Sequence, residues 1–217
     1  MTSKSILLNG HKWRVKLLGE NAILLENDAT THDAIHTTTA LISAQNMGGI
    51  IEIVPAYASI AIVIDMLQTD VYQIIISLEN ITTASISISS NTKTHHINVD
   101  YEKGLDWQEI IKITGLTKSE IIRRHTAVEY RVEMMGFLPG FVYLSGMDEA
   151  LYCPRKANPR VRIPAGAVGI GGAQTGIYAL ESPGGWQIIG QTDATLFDPK
   201  KIPPNTLNVG DSVQFVE

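Results

Sequence analysis

Four basic side chains fall within eight positions of the second half of the chain: Arg155, Lys156, Arg160 and Arg162. Prolines frame this loop, so its guanidinium groups would be held in place. A held guanidinium group can form two parallel hydrogen bonds with a carboxylate or a phosphate. A solvated charged surface is the alternative interpretation. On the first interpretation we predict that Arg155 and Arg160 bind anionic groups in a catalytic site.

His125 is a second candidate catalytic residue. It follows Arg123 and Arg124 at the end of a predicted helix. Histidine can donate a hydrogen bond or exchange a proton near neutral pH. A basic side chain in the last turn of a helix is also stabilising by itself, so a purely structural role stays open.

Apolar and hydrogen-bonding side chains follow at nearby positions. The segment Gly-Phe-Leu-Pro-Gly-Phe at residues 136–141 places Phe137 and Pro139 between two glycines. Glycines let the backbone turn sharply or approach a ligand, and aromatic rings form apolar walls. A barrel corner packed with aromatic residues is the alternative.

A further group of candidate substrate contacts lies downstream. Gln174, Thr175 and Tyr178 offer an amide, a hydroxyl and a phenol, and Trp186 follows a tight Pro-Gly-Gly turn. Side chains of these types suit a ligand pocket or a partner surface. We therefore predict that all four contact the substrate.

Other kinds of site are not indicated. The glycine-rich segment 166–172 lacks the Lys-Ser or Lys-Thr of a nucleotide-binding loop and precedes no helix, so we interpret it as a strand. His95 and His96 are adjacent and would point to opposite faces of a strand. Cys153 has no histidine near it in sequence and is expected to be a packed thiol. We predict no metal site.

Composition limits the class of protein. The 217 residues carry a net charge of −5 and one cysteine, with no apolar run of eighteen or more residues. We therefore expect no disulfide, no signal peptide and no membrane span. An acidic chain is also a poor partner for nucleic acid. These features predict a cytoplasmic protein.

The first 89 residues are predicted to form a small α/β domain with the strand–helix–strand–strand–helix–strand order of a ferredoxin-like unit. Residues 27 and 28 are expected to cap the first helix. The predicted elements are two short strands in 13–26, a helix over 30–45, strands at 50–54 and 57–64, a helix within 65–78, and a strand at 85–89. The polar run 89–94 is predicted to be a linker.

Residues 95–217 are predicted to form the second domain. A strand at 95–101 comes first, followed by helices at 105–113 and 118–125, the latter with Thr117 and Glu120 in a capping-box pattern. Beyond Tyr130, short β-rich runs alternate with glycine and proline turns. This pattern of short strands and turns predicts a closed or nearly closed β-barrel.

Four ordered segments resemble one known family. They are Gly-Phe-Leu-Pro-Gly-Phe-Val-Tyr-Leu from residue 136, Pro-Arg-Val-Arg-Ile-Pro-Ala-Gly-Ala-Val-Gly-Ile from 159, Gln-Thr-Gly-Ile-Tyr from 174 and Ser-Pro-Gly-Gly-Trp-Gln-Ile-Ile-Gly from 182. The family is variously called allophanate hydrolase subunit 1, the KipI family and the 5-oxoprolinase B subunit family. Residues 49–57 and 125–132 are also similar to it.

The resemblance implies a cyclophilin-like barrel in the second domain and a function in a complex. With subunits A and C, the family resembles the bacterial system that opens 5-oxoproline to glutamate at the expense of ATP. Some relatives instead inhibit a sensor histidine kinase, and others belong to urea carboxylase or allophanate systems, so both remain alternatives. This chain departs from the family pattern at Val142, where proline is frequent, and at Gln191, where arginine is common.

Overall fold

The structure is a computed structural model and describes residues 4–27, 31–81 and 92–217. The chain divides into two compact units, Met1–Ser90 and Asn91–Glu217. The predicted strand at 85–89 and the first half of the predicted linker, residues 89–91, lie outside the described residues.

The first unit contains an antiparallel five-stranded sheet. Its strands in chain order are β1 (Lys4–Leu8), β2 (His11–Leu18), β3 (Ala22–Glu26), β4 (Ile50–Pro55) and β5 (Ser59–Ile64). They lie side by side in the order β1-β2-β3-β5-β4. Alternate residues such as Trp13, Val15, Ile60 and Ile62 are buried, which gives the sheet one apolar face.

Two helices accompany this sheet: α1 (His32–Ala44) and α2 (Val71–Glu79). The prediction that residues 27 and 28 cap α1 is wrong, because the Thr31 hydroxyl accepts the hydrogen bond from the amide of Ala34. Asp70 caps α2, which lies within the predicted range 65–78 except for its last residue, Glu79. Strand β1 was not predicted, since its five residues lie beside the chain start and carry little periodic signal.

The second unit contains a strongly curled, mixed, seven-stranded sheet. Its strands are β6 (Thr94–Asn98), β7 (Glu129–Met135), β8 (Val142–Ser145), β10 (Ala167–Gly171), β11 (Gln174–Ile177), β13 (Gln187–Gln191) and β14 (Ser212–Val216). They lie in the order β13-β10-β11-β8-β7-β14-β6, and only the β14–β6 pair is parallel. Strands β9 (Arg160–Ile163) and β12 (Ser182–Gly184) form a separate ribbon.

Two helices precede most of these strands: α3 (Trp107–Thr114) and α4 (Lys118–Thr126). Thr117 caps α4 as predicted, by accepting a hydrogen bond from the amide of Glu120. The sheet curls enough for its two edges to meet at one point, where Asp100 and Gln191 exchange backbone hydrogen bonds of 2.8 and 3.1 Å. The predicted barrel is thus present as a curled half-barrel.

Each strand of the second unit has a core face and an opposite face. Val142, Leu144, Ile177 and Ile189 belong to the large core with residues of α3 and α4. Their neighbours along the strands point the other way, because side chains alternate. The opposite face carries a smaller cluster that includes Phe141, Tyr178, Trp186 and Ile188.

Glycines make room for Trp186 on the opposite face. A Cβ atom at Gly171 would lie 2.6 Å from the indole ring, and one at Gly176 would lie 2.9 Å from it. The glycine-rich segment predicted to be a strand is therefore β10, and its glycines leave space for an aromatic ring.

We expect Gly171→Ala to lower the free energy of unfolding by about 1–3 kcal/mol, because the added methyl group must displace the indole of Trp186. Urea unfolding measures the loss, and near-ultraviolet circular dichroism reports the displaced ring. Gly185→Ala is the matched control, since its Cβ would meet nothing closer than 3.6 Å. Equal losses in both variants would show that the packing of the indole on Gly171 is unimportant.

Candidate functional site

An aromatic cluster with a cation at its edge occupies the opposite face of the curled sheet. We call Phe141, Tyr143, Tyr178 and Trp186 the outer aromatic cluster. The Phe141 ring meets Tyr178 and Trp186 edge-on, with centroids 4.8 and 5.5 Å away. Tyr143 lies 5.7 Å from Trp186 in a similar orientation. Such edge-to-face contacts hold the rings in fixed positions.

The guanidinium group of Arg155 lies over this cluster. Its central carbon is 5.7 Å from the centroid of the Trp186 ring, a cation–π contact. Among the described residues no carboxylate lies within ion-pair distance of Arg155, and its side chain is exposed. Its hydrogen-bond donors are therefore available to an anion.

Arg160 has a different environment. Its guanidinium group binds both carboxylate oxygens of Asp106, at 2.8 and 2.6 Å. The guanidinium group that the sequence predicted to bind a ligand is therefore already paired with a side chain of the same chain. Lys156 also binds Asp106, at 2.9 Å, and reaches Glu109 at 2.7 Å.

Asp106 connects this loop to the sheet. Its carboxylate is almost fully buried and also accepts a hydrogen bond of 2.7 Å from the backbone amide of Ile188 in β13. Burial by itself raises the pKa of Asp106, but the bonds from Arg160, Ile188 and Lys156 outweigh it and lower the pKa. Asp106 therefore stays charged, and it fixes the loop that carries Arg155.

His125 lies on the core face, fully buried, and both of its ring nitrogens have partners. Nδ1 is 2.7 Å from the Tyr101 hydroxyl, and Nε2 is 2.9 Å from the Thr175 hydroxyl. The Thr175 hydroxyl donates to the carbonyl of Gly169 at 3.0 Å, so it must accept from Nε2–H. Nδ1 then accepts from Tyr101. The ring also stacks on Phe215, with centroids 4.5 Å apart.

Burial lowers the pKa of His125 from 6.5 to about 3. The folded protein therefore holds a neutral imidazole at neutral pH. Substrate has no path to either nitrogen without displacing Tyr101 or Thr175. The acid–base role suggested by the sequence remains a prediction, and this geometry favours a role in holding α4 against β11.

This pKa predicts how stability depends on pH. Below pH 6.5 the unfolded chain binds a proton on His125 that the folded chain does not bind, so stability falls by about 1.4 kcal/mol per pH unit from this residue. We expect wild-type unfolding free energy to drop between pH 7 and pH 5, and His125→Gln to lose that part of the slope. Chemical denaturation at each pH measures it, with the exposed His96→Gln as control. A slope unchanged in His125→Gln would contradict the buried neutral ring.

The turn at residues 136–141 approaches the outer aromatic cluster from one side. Phe137 has a left-handed φ of 74° and remains 63% exposed, and its ring lies edge-on to Phe141 with centroids 5.6 Å apart. A bulky residue rarely adopts this backbone conformation, and such strain is common at functional sites. Pro139 is exposed in the same turn. Gly140 is required because its Cβ would lie 2.5 Å from that of Phe197.

The predicted contacts on β11 and after it divide between the two faces. Gln174 and Tyr178 share the opposite face with Trp186, and Gln174 is half-buried at the start of the strand. Burial raises the pKa of Tyr178 to about 12, so its phenol stays protonated. Thr175 points to the core face and binds His125. The structure thus brings Arg155, Phe137, Gln174, Tyr178 and Trp186 to one face and leaves His125 and Thr175 on the other.

Two residues of this region were missed from the sequence. Tyr143 alternates with Val142 and Leu144 along β8, which was a signal that it shares a face with Phe141. Burial raises the pKa of Tyr143, and the positive charge of Arg155 offsets part of this rise. The phenol and the guanidinium group are therefore neighbours. In the sequence, Asp106 is recognisable only as an acidic residue before a helix. Its role was missed because its partners lie 50 and 54 residues downstream.

The two departures from the family pattern have clear local roles. Val142 is fully buried at the start of β8, where it packs in the core. Gln191 donates a side-chain hydrogen bond of 2.8 Å to the carbonyl of Ala165. Within the described residues, no cluster of three or more His, Cys, Asp and Glu side chains could hold a metal ion. No described helix has the length and apolar character needed to cross a membrane.

Comparison with known protein families shows which family the chain belongs to. A family model described as "Carboxyltransferase domain, subdomain C and D" matches residues 13–207. The chain belongs to this carboxyltransferase-domain family. Its relatives include the 5-oxoprolinase B subunit of Bacillus subtilis (strain 168), which is 36% identical over 94% of this chain and 92% of that protein. The protein of the same name from Escherichia coli O157:H7 is 36% identical over 94% of this chain and 95% of its own length.

Solved structures agree with this family assignment. The crystal structure of TTHA0988 covers 91% of this chain with a TM-score of 0.79 and 31% identity, while this chain matches 40% of that longer chain. An uncharacterized protein from Pyrococcus horikoshii, PH0987, is 38% identical over 93% of this chain and 96% of its own, with a TM-score of 0.56. The Kluyveromyces lactis urea amidolyase shares the fold at 19% identity and a TM-score of 0.74.

Proposed function

We propose that this chain is the B subunit of an ATP-dependent 5-oxoprolinase and acts with subunits A and C to convert 5-oxoproline to L-glutamate. The observation that carries this proposal is the match to two bacterial proteins of that name over at least 92% of both partners in each comparison. The outer aromatic cluster and Arg155 supply a site of suitable chemistry.

The reaction requires help because an amide nitrogen is a poor leaving group. Transfer of the γ-phosphoryl group of ATP to the lactam oxygen releases ADP and makes the carbonyl carbon electrophilic. Water then adds to this carbon, the C–N bond breaks, and a second water releases phosphate from the acyl phosphate to give glutamate. Such a reaction needs fixed positive charge and a shaped binding surface for the substrate.

Arg155 is the residue of this chain that suits the substrate carboxylate. Its guanidinium group is exposed, has no carboxylate partner among the described residues, and lies over Trp186. Phe137 is exposed and provides an apolar contact for the lactam ring, whereas Trp186 is only 4% exposed and supports Arg155 from beneath. Gln174 lies on the same face with an amide that can bind the polar groups of the substrate. Pro139 is exposed beside Phe137 and restricts the turn. Tyr178 supports Trp186 from within the cluster.

Arg160, His125 and Thr175 act through other residues in this proposal. Arg160 binds Asp106 and so fixes the loop of Arg155. His125 and Thr175 hold α4 against β11 from the core face. Their expected effects are therefore on stability and on the position of the site.

ATP fits this chain poorly. A phosphate-binding loop presents a run of free backbone amides, often at a helix N-terminus. The glycine-rich segment is instead strand β10, paired on both sides and packed against Trp186. We therefore assign ATP binding to another subunit.

The finer fold assignments belong to the same proposal. The order β3-α1-β4-β5-α2 in the first unit suits a ferredoxin-like domain that ends near residue 89, and the curled sheet of the second unit suits a cyclophilin-like barrel. A partner subunit of the same barrel class would complete the half-barrel site. The fold alone implies no prolyl isomerase activity.

Reconstitution tests the proposal. We expect purified subunits A and C to release glutamate from 5-oxoproline only when this chain and ATP are both present. Omission of each component in turn is the control. If glutamate release does not depend on this chain, the proposal is wrong. Inhibition of a sensor kinase's autophosphorylation by the chain, or co-purification with a biotin carboxylase, would then support the regulatory or the urea carboxylase alternative.

A further inference from the structure

The curled sheet has one open strand edge beside a polar pocket. Strand β6 is the last strand of the sheet and pairs only with β14. The pocket has a volume of about 570 Å³, and its lining includes His96, Asn98, Asp100, Asp193 and Glu217. The pocket lies between β6 and the segment that follows β13, next to the point where these two parts of the chain pair.

Hydrogen bonds determine which backbone groups face this gap. The carbonyl of Lys93 accepts from Ser212 and the amide of Val99 donates to Val216, so odd-numbered residues of β6 face β14. The backbone groups of Thr94, His96 and Asn98 therefore face away from it. In the part of the chain that the structure describes, no strand pairs with them, and the next even residue, Asp100, pairs with Gln191.

An unpaired edge of this kind is a template for another strand. The exposed side chains of His96 and Asn98 leave the edge open, while Ile97 and Val99 secure β6 to the core. An incoming strand would exchange backbone hydrogen bonds with His96 and Asn98 and enter the pocket between β6 and residues 192–194. This is the geometry of strand addition in peptide recognition.

The charges that line the pocket determine which kind of segment could bind there. The pocket lining contains Asp100, Asp193 and Glu217 and no lysine or arginine. The nearest described cation to Asp100 is Lys103, which is 3.7 Å away and half-exposed, so it neutralises the lining only in part. A second copy of this edge would bring like charges together, which is unfavourable in paired strands. A segment with lysine or arginine at alternate positions fits.

We propose that the open edge of β6 receives an extended, lysine- or arginine-bearing segment of a partner subunit, which adds as a strand beside His96 and Asn98. The inference rests on the proposed function, since the partner is a subunit of the same complex. It assigns part of the assembly surface to an edge remote in sequence from Arg155.

Hydrogen exchange measures this contact without altering the chain. We expect the amides of His96 and Asn98 to exchange at least about tenfold more slowly in the complex with subunits A and C than in the chain alone. The amides of Ile97 and Val99 already face β14 and are the internal controls. A complex that forms while the exchange of His96 and Asn98 is unchanged would overturn this inference and leave the proposed function standing. Failure of the subunits to associate would overturn both.

A matched pair of variants provides a second test. Asn98→Pro removes the outward amide at an edge position where proline is tolerated, and Asn98→Ala keeps it. We expect the dissociation constant of the complex to rise about tenfold for the proline variant and to stay unchanged for alanine. Equal affinities would contradict strand addition, as would protection of these amides in the chain alone at rising concentration, which would assign the edge to a second copy.

Discussion

Arg155→Ala is expected to lower kcat/KM for 5-oxoproline in the assembled enzyme by about a hundredfold, because two charge-assisted hydrogen bonds to the substrate carboxylate are lost. The variant should fold normally, since the side chain is exposed and its guanidinium group lies over the ring of Trp186 without a carboxylate partner among the described residues. Glutamate release at varied substrate concentration measures the effect.

Two further variants make the test specific. Arg155→Lys keeps the charge but loses the planar fork, so we expect an intermediate rate. Arg162→Ala is the matched control, because Arg162 is 74% exposed and pairs with Glu181 on the nearby ribbon. We expect that control to retain wild-type activity. Full activity in Arg155→Ala would remove this residue from the site.

Asp106→Ala is expected to lower the free energy of unfolding by about 3–5 kcal/mol, the largest stability effect that we predict. The substitution leaves Arg160 and Lys156 without their buried partner and the amide of Ile188 without an acceptor. Urea denaturation followed by far-ultraviolet circular dichroism measures the loss.

Glu109→Ala tests whether the loss of stability in Asp106→Ala comes from the buried carboxylate or from the removal of any acidic partner. Glu109 also binds Lys156 but is half-exposed, so its removal should cost less than about 1 kcal/mol. Asp106→Asn keeps an acceptor for Ile188 and should be intermediate. A loss in Asp106→Ala no larger than that in Glu109→Ala would show that Asp106 does not anchor the loop.

Local patterns were sufficient to predict much of the fold. Strand β4 was predicted except for its last residue, Pro55, and the cap of α4 at Thr117 was predicted from its spacing to Glu120. These features depend on residues close in sequence. The prediction of the α1 cap failed because residues 27, 28, 30 and 31 are all of types that can cap a helix, and only the packing of the helix decides among them.

The candidate site was harder to predict because it depends on which face of the sheet each strand presents. The sequence grouped Thr175 with Gln174 and Tyr178, but alternation along β11 places Thr175 on the core face. Arg155 and Arg160 looked equivalent in the basic loop. A buried carboxylate 54 residues upstream engages Arg160 and leaves Arg155 exposed, a distinction that no local pattern contains.

Chemical footprinting of arginine in the assembled enzyme tests whether substrate binds beside Arg155 at the outer aromatic cluster. A dicarbonyl reagent specific for guanidinium groups is applied with and without 5-oxoproline, and the modified peptides are quantified by mass spectrometry. We predict that substrate protects Arg155 and leaves the modification of Arg162 unchanged. Equal modification of Arg155 in the presence and absence of substrate would contradict a substrate site at the outer aromatic cluster.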